Sequence, residues 1–182
     1  GDVRLGYFTP DYTAYEDLLG GIPRIKPVHL PLKPEAGFAM DIADLEAEVR
    51  KKKIQALLVS NPCNPTGMIL RGPEIRGWLR LARAKKVSLL MDEFYSHFVW
   101  DGPAPVSIAS EIDDVNRDPV LIFDGLTKNF RYPGWRGGWT LGPESWIETL
   151  TCSGSALDGG GPCWLQRASI PLLAAGRAER ET

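Results

Sequence analysis

The sequence of 182 residues predicts an α/β fold. Two observations carry that expectation. Short apolar runs of strand length alternate with runs whose apolar residues recur at helical spacing. Three of the strand-like runs also end in polar or special residues, at Asn61, Asp92 and Asp124 onward. In open α/β sheets ligands bind at the carboxyl ends of strands, so these residues fall where a site belongs.

The elements follow in order. Val3 to Phe8 reads as a strand, and a helix near Ala14 to Leu19 stops at Gly20-Gly21. Ile25 to Leu30 is a second strand. Asp41 then caps a helix whose stripe is Ile42, Leu45 and Val49. The run Ile54 to Ser60 is too short for a buried helix and reads as a central strand. Pro73 and Glu74 suit a helix start, and Lys85-Lys86 suit its carboxyl end, where cations complement the dipole. Val87 to Met91 and Val120 to Phe123 are buried strands, ending at Asp92 and Asp124. Trp139 to Leu141 is a short strand, Glu144 to Leu150 a helix, Gly159 to Pro162 a break, and Leu165 to Ala175 a last helix.

Bulk composition narrows the function. Hydrophobic residues make up 43% and charged residues 24%, ordinary for a globular chain of one domain. A net charge of −2 offers no basic face for nucleic acid. No apolar run approaches the roughly 20 residues that cross a bilayer, so no membrane partner is expected. No signal peptide is expected, and a start at Gly1 suggests a processed or truncated beginning. Cys63, Cys152 and Cys163 form no CxxC pair and read as reduced thiols of a cytoplasmic protein. With His29 and His97 the only histidines, no metal site is expected.

Four short segments carry chemistry. In Asn61-Pro62-Cys63-Asn64-Pro65-Thr66-Gly67, each proline bars helix at the asparagine before it. The result is a rigid turn past a strand end that presents the Asn64 amide; alone, it also suits an ordinary strand-to-helix connection. Asp92 closes an apolar run, where a carboxylate is costly unless paired, and a protonated pyridine nitrogen is one such partner. A helix cap is the alternative there. Lys128 follows a strand by a few residues; a lysine in an apolar or cationic pocket loses its proton and becomes a nucleophilic amine, whereas an ordinary lysine is solvated. Arg136, within Tyr132-Pro133-Gly134-Trp135-Arg136-Gly137-Gly138, is placed either to grip a phosphate with paired hydrogen bonds or to stand as a surface arginine.

Taken in order, NPCNPTG, DEFY, TKN and PGWRGG resemble the fold-type I pyridoxal-phosphate enzymes, specifically the class I/II aminotransferase family. Asn64 to Asp92 is 28 residues, Asp92 to Lys128 is 36, and Lys128 to Arg136 is 8, spacings ordinary for that family. The resemblance runs from about Pro10 to the last helix. It implies a three-layer α-β-α domain with a mostly parallel central sheet and pyridoxal 5'-phosphate as cofactor. Lys128 would be the Schiff-base lysine and proton shuttle, and Asp92 the partner of the ring nitrogen. Asn64 and Tyr95 would hydrogen-bond the ring oxygen, and Arg136 would bind the phosphate. In Thr9-Pro10-Asp11-Tyr12, Tyr12 would stack on the ring or else be a core tyrosine. The substrates would be an amino acid and a 2-oxo acid, and the full-length protein a homodimer. A C–S lyase, an aminocyclopropane-carboxylate-type synthase, an oxidase and a non-catalytic fragment remain alternatives.

The sequence departs from the family's pattern in places. Where the family often has a serine for the phosphate, three residues before the lysine, this chain has Gly125, and Thr127 is the nearby hydroxyl. The glycine- and serine-rich half of the phosphate cup would precede Gly1, and the small C-terminal domain with the arginine for the substrate carboxylate would follow Thr182. Residues 1–182 are therefore expected to be the central part of the large, cofactor-binding domain, truncated at both ends, and to transaminate poorly by themselves. Segment 153–167 would lie near a dimer interface or serve as a glycine-rich link between helices. Glu93 and His97 are expected to be structural or solvated.

Overall fold

A computed structural model describes residues 1–175. Its elements are β1 (Val3–Thr9), α1 (Ala14–Gly21), β2 (Ile25–Pro31), α2 (Ile42–Lys52), β3 (Ala56–Ser60), α3 (Gly72–Lys85), β4 (Ser88–Asp92), β5 (Val120–Gly125), β6 (Gly138–Leu141), α4 (Glu144–Asp158) and α5 (Cys163–Ala174). Among the described residues one sheet runs β2-β1-β3-β4-β5-β6. Every neighbouring pair is parallel except β5 and β6, which form an antiparallel edge.

The alternation of side chains across the strands makes the layers. Leu57 and Val59 of β3 face a core shared with Leu45 and Val49 of α2 and with Ile75, Trp78 and Leu79 of α3. Ala56 and Leu58, one residue out of phase, face Tyr15 and Leu19 of α1. Helices therefore cover both faces, and all five residues of β3 are buried, which is why its sequence is a continuous apolar run. Removing a leucine such as Leu57 from water contributes about 1.5–3 kcal/mol. β2 lies at the sheet edge, where its Pro27 is tolerated.

Local chemistry places the helix ends. The Asp41 carboxylate accepts from the Ala43 N–H at 2.8 Å and starts α2. Glu74 accepts from the Arg71 N–H at 2.9 Å at the start of α3. α4 continues eight residues past Leu150, the end that the sequence suggests, and stops at Gly159 in the left-handed conformation. The run Thr151-Cys152-Ser153-Gly154-Ser155 has low helix propensity and hides that continuation. None of the described helices is long and apolar enough to cross a membrane.

The turn after β3 is fixed by Asn61, which is fully buried. Its side-chain oxygen accepts from the Leu70 N–H at 2.8 Å, and its amide donates to the Leu70 carbonyl at 3.2 Å. Its backbone N–H donates to the Asp92 carbonyl at 2.9 Å, so the turn is tied to the end of β4 as well. Asn61→Ala strands two buried backbone groups of Leu70. The variant is expected to lose about 2–3 kcal/mol, read as a lower urea midpoint at unchanged slope; an unchanged midpoint would show that the turn holds without this side chain.

Candidate active site

The candidate site lies at the carboxyl ends of β3, β4 and β5 and on loop 126–137. The parallel register pairs Ser60 with Asp92 and Asp92 with Phe123, so the three strand ends arrive together. Asp92 is carried there by the same burial that makes Leu89 and Met91 a strand. That burial pushes its pKa up, because the charged form loses water. The Tyr15 hydroxyl donates to its Oδ2, and the Phe94 N–H donates to its Oδ1 at 3.2 Å. Both bonds favour the carboxylate but do not cancel the burial. The Tyr15 phenol holds its proton tightly, first through its own burial and then through the charge of Asp92.

Tyr12 is 48% exposed, edge-on to Tyr15 with ring centroids 5.5 Å apart. Asn64 is half-buried in its turn. It lines a cleft together with Tyr95, Phe98 and Trp100. The Tyr95 ring packs edge-on against Phe98 at 5.4 Å.

Lys128 is exposed, and its Nζ stands 5.7 Å from the centroid of the Tyr95 ring, a cation–π distance. This contact joins the lysine loop to the segment after β4. The neighbouring Asn129 reinforces the same junction from below. Its buried amide donates to the Glu93 carbonyl at 3.1 Å, to Ser96 Oγ at 3.0 Å and to Asp124 Oδ1 at 2.8 Å. Its oxygen accepts from the His97 N–H at 3.2 Å. Thr127, half-buried, is adjacent in the chain.

Arg136 is exposed and adopts a left-handed backbone at φ 50°. Its Nη1 donates to the Pro133 carbonyl at 3.0 Å. It lines a different cleft from that of Asn64 and Tyr95, with Leu126, Trp135, Gly161 and Leu165. The structure thus groups Tyr15 with Asp92, and Lys128 with Tyr95. Arg136 sits farther along the same loop.

Gly125 has a packing reason. A β-carbon there would lie 2.7 Å from the Gly137 carbonyl oxygen and 2.9 Å from the Gly138 Cα. Gly125 and Gly138 are direct partners in the β5–β6 ladder. The close approach of the two backbones leaves no room for a serine, so any hydroxyl from this stretch comes from a neighbour such as Thr127.

Two residues to which the motifs give no role, Tyr15 and Asn129, prove central. Tyr15 lies in the first turn of α1 with its ring against that of Tyr12, and the nearby tyrosines were the available signal. Asn129 left no comparable signal, because Glu93, Ser96 and His97 are distant from it in sequence. Glu93 is structural, as expected: it is buried, and its Oε1 accepts from the Ile108 N–H at 2.8 Å.

Comparison with known proteins agrees with this geometry. The family model described as aminotransferase class I and II matches residues 5–156. The chain is similar to an aspartate aminotransferase of Sulfurisphaera tokodaii, 32% identical over 147 residues, covering 79% of this chain and 35% of that protein. It is also similar to an alanine aminotransferase of Mycobacterium tuberculosis, 37% identical over 151 residues, covering 78% of this chain and 33% of that protein. An aromatic aminotransferase structure from Pyrococcus horikoshii superposes with a TM-score of 0.83 at 25% identity, over 99% of this chain and 47% of that one. The chain spans about a third of the length of these curated relatives.

Burial pushes the Glu93 carboxyl up to about 7. Unfolded, it would release its proton near pH 4.3, the ordinary glutamate value. The folded chain therefore binds more protons between those values. This contribution to stability is full below the lower value and is lost as pH rises to the upper one. Glu93→Gln keeps an oxygen for Ile108 and removes the titration. Its thermal midpoint is expected to fall less steeply than the wild type's across that interval; equal slopes would show that Glu93 is charged in the fold.

Proposed function

The chain belongs to the class I and II aminotransferase family, and on that premise we propose that the protein exchanges an amino group between an amino acid and a 2-oxo acid with pyridoxal 5'-phosphate as cofactor. The observation that carries this reading is Asp92. A carboxylate whose charge is disfavoured by burial, at the end of a central strand, calls for a cationic partner. A protonated ring nitrogen meets that need. Lys128, on the loop after the next strand and against Tyr95, is the amine that would attach the cofactor.

The other residues fit the same group. Asn64 and Tyr95 share one cleft and offer an amide and a phenol to the ring oxygen. Tyr12 is exposed beside Tyr15 and free to cover a ring face. The Arg136 guanidinium would hold the phosphate, with Thr127 lending a hydroxyl in place of the serine that Gly125 cannot accommodate. Bound there, pyridoxal phosphate supplies an electron sink that loosens the bonds at the substrate Cα. Asp92 would keep the ring nitrogen protonated. The freed Lys128 amine would take the proton from the substrate Cα and return it on the cofactor side.

We further read residues 1–182 as the central part of a large, cofactor-binding domain; residues 176–182 lie outside the described ones. A homodimer in the full-length protein and a cytoplasmic location accompany this reading.

Absorbance of the protein with added pyridoxal phosphate tests it. A visible band is expected in the wild type and should be lost in Lys128→Ala; a band that persists unchanged in the variant would refute the anchor. Adding amino acids to the loaded full-length protein should yield the pyridoxamine form, whereas ammonia with a keto acid would indicate lyase or oxidase chemistry.

A further inference from the structure

Tyr95 is held by its ring rather than by its hydroxyl. Among the described residues no hydrogen bond fixes that hydroxyl, whereas the ring has two close partners. The Lys128 Nζ stands 5.7 Å from its centroid. The Phe98 ring packs edge-on at 5.4 Å, with the two planes 80° apart. Phe98 in turn meets Trp100 edge-on at 6.5 Å. These contacts lead from the lysine loop to the surface, where Trp100 is 92% exposed.

The backbone fixes Phe98 within this series. Its N–H donates to the Tyr95 carbonyl at 2.8 Å, so the two residues close one turn. The turn is pinned by the Val106 N–H, which donates to the Ser96 carbonyl at 3.0 Å, and by Val99, which is buried. The Phe98 ring itself is 39% exposed and belongs to neither core cluster. A scattered apolar side chain at the surface needs no explanation. Phe98 differs because it lines the cleft that Asn64 and Tyr95 share, with its ring against that of Tyr95.

We propose that Phe98 is a positioning residue of this cleft: its ring holds the Tyr95 ring, and Tyr95 in turn sets where its phenol and the Lys128 amine stand. This rests on the reading that Tyr95 and Lys128 meet the cofactor. An edge-on pair prefers one geometry because ring faces are negative and ring edges positive. The same negative face attracts the ammonium of Lys128. Without the Phe98 ring, a tyrosine whose hydroxyl is unbonded has little to select one rotamer. Its phenol then leaves the place it shares with the Asn64 amide, and Lys128 loses the ring beside it.

The cofactor-free chain gives the first readout. Proton nuclear magnetic resonance should show through-space contacts of the Tyr95 ring with the Phe98 ring and with the Lys128 ε-methylene. Phe98→Tyr, which keeps a ring, should retain the contact with Lys128. Phe98→Leu, which keeps apolar volume without the ring, should lose it. A contact kept in Phe98→Leu, or lost equally in Phe98→Tyr, overturns the proposal. Absence of the ring-to-ring contact in the wild type overturns it as well, and that result needs no variant to fold. The second readout is the pH midpoint of the visible band with pyridoxal phosphate added. A phenol that donates to the ring oxygen favours its charged form, so losing the donor moves that midpoint up. Phe98→Leu should raise it in the direction of Tyr95→Phe and add nothing in the Tyr95→Phe background. An unchanged midpoint, or a shift that adds in full, overturns the proposal. A wild type that forms no band counts against the cofactor reading instead, because the ring contacts are read without cofactor.

Discussion

The burial of Asp92 governs the arrangement around it. β4 exists because Leu89 and Met91 are taken out of water between two helical layers, and Asp92 inherits that environment as the next residue along. Its carboxylate must then be stabilised by what surrounds it. The fold supplies a tyrosine from α1 and a backbone N–H from Phe94. The turn of Asn61, the segment from Glu93 to Ser96 and the lysine loop all converge on this strand end.

That convergence is maintained by buried side-chain hydrogen bonds rather than by the ladder alone. Asn61 pairs with both backbone groups of Leu70, and Asn129 joins Glu93, Ser96, His97 and Asp124. A buried amide that satisfies several partners fixes a loop more firmly than a surface contact does, since each partner would be left unpaired if it moved. Lys128 is adjacent to Asn129, so its backbone stands on a rigid base while its side chain remains exposed.

Much of this was legible from the residues. Strand lengths, the Asp41 cap and the run ALLVS follow from local rules that the tertiary structure reinforces. Asn64, Asp92, Lys128 and Arg136 are named by their motifs, and the strand-end positions are read from where apolar runs stop. What was not legible depends on distance in sequence. Tyr15 meets a residue 77 positions away, and Asn129 one 36 positions away. The reason for Gly125 lies in the partner strand, where Gly137 and Gly138 approach too closely for a side chain. α4 runs on to Asp158, past the end that local propensity sets near Leu150, through a stretch of weak helix formers.

The most direct measurement is the protonation state of the ring nitrogen in isotope-labelled pyridoxal phosphate bound to the protein, read from its nitrogen chemical shift. A nitrogen that is protonated in the wild type and loses its proton in Asp92→Ala is expected from a buried carboxylate that needs a cation. A nitrogen equally protonated in both proteins would contradict the pairing with Asp92 on which the site is built.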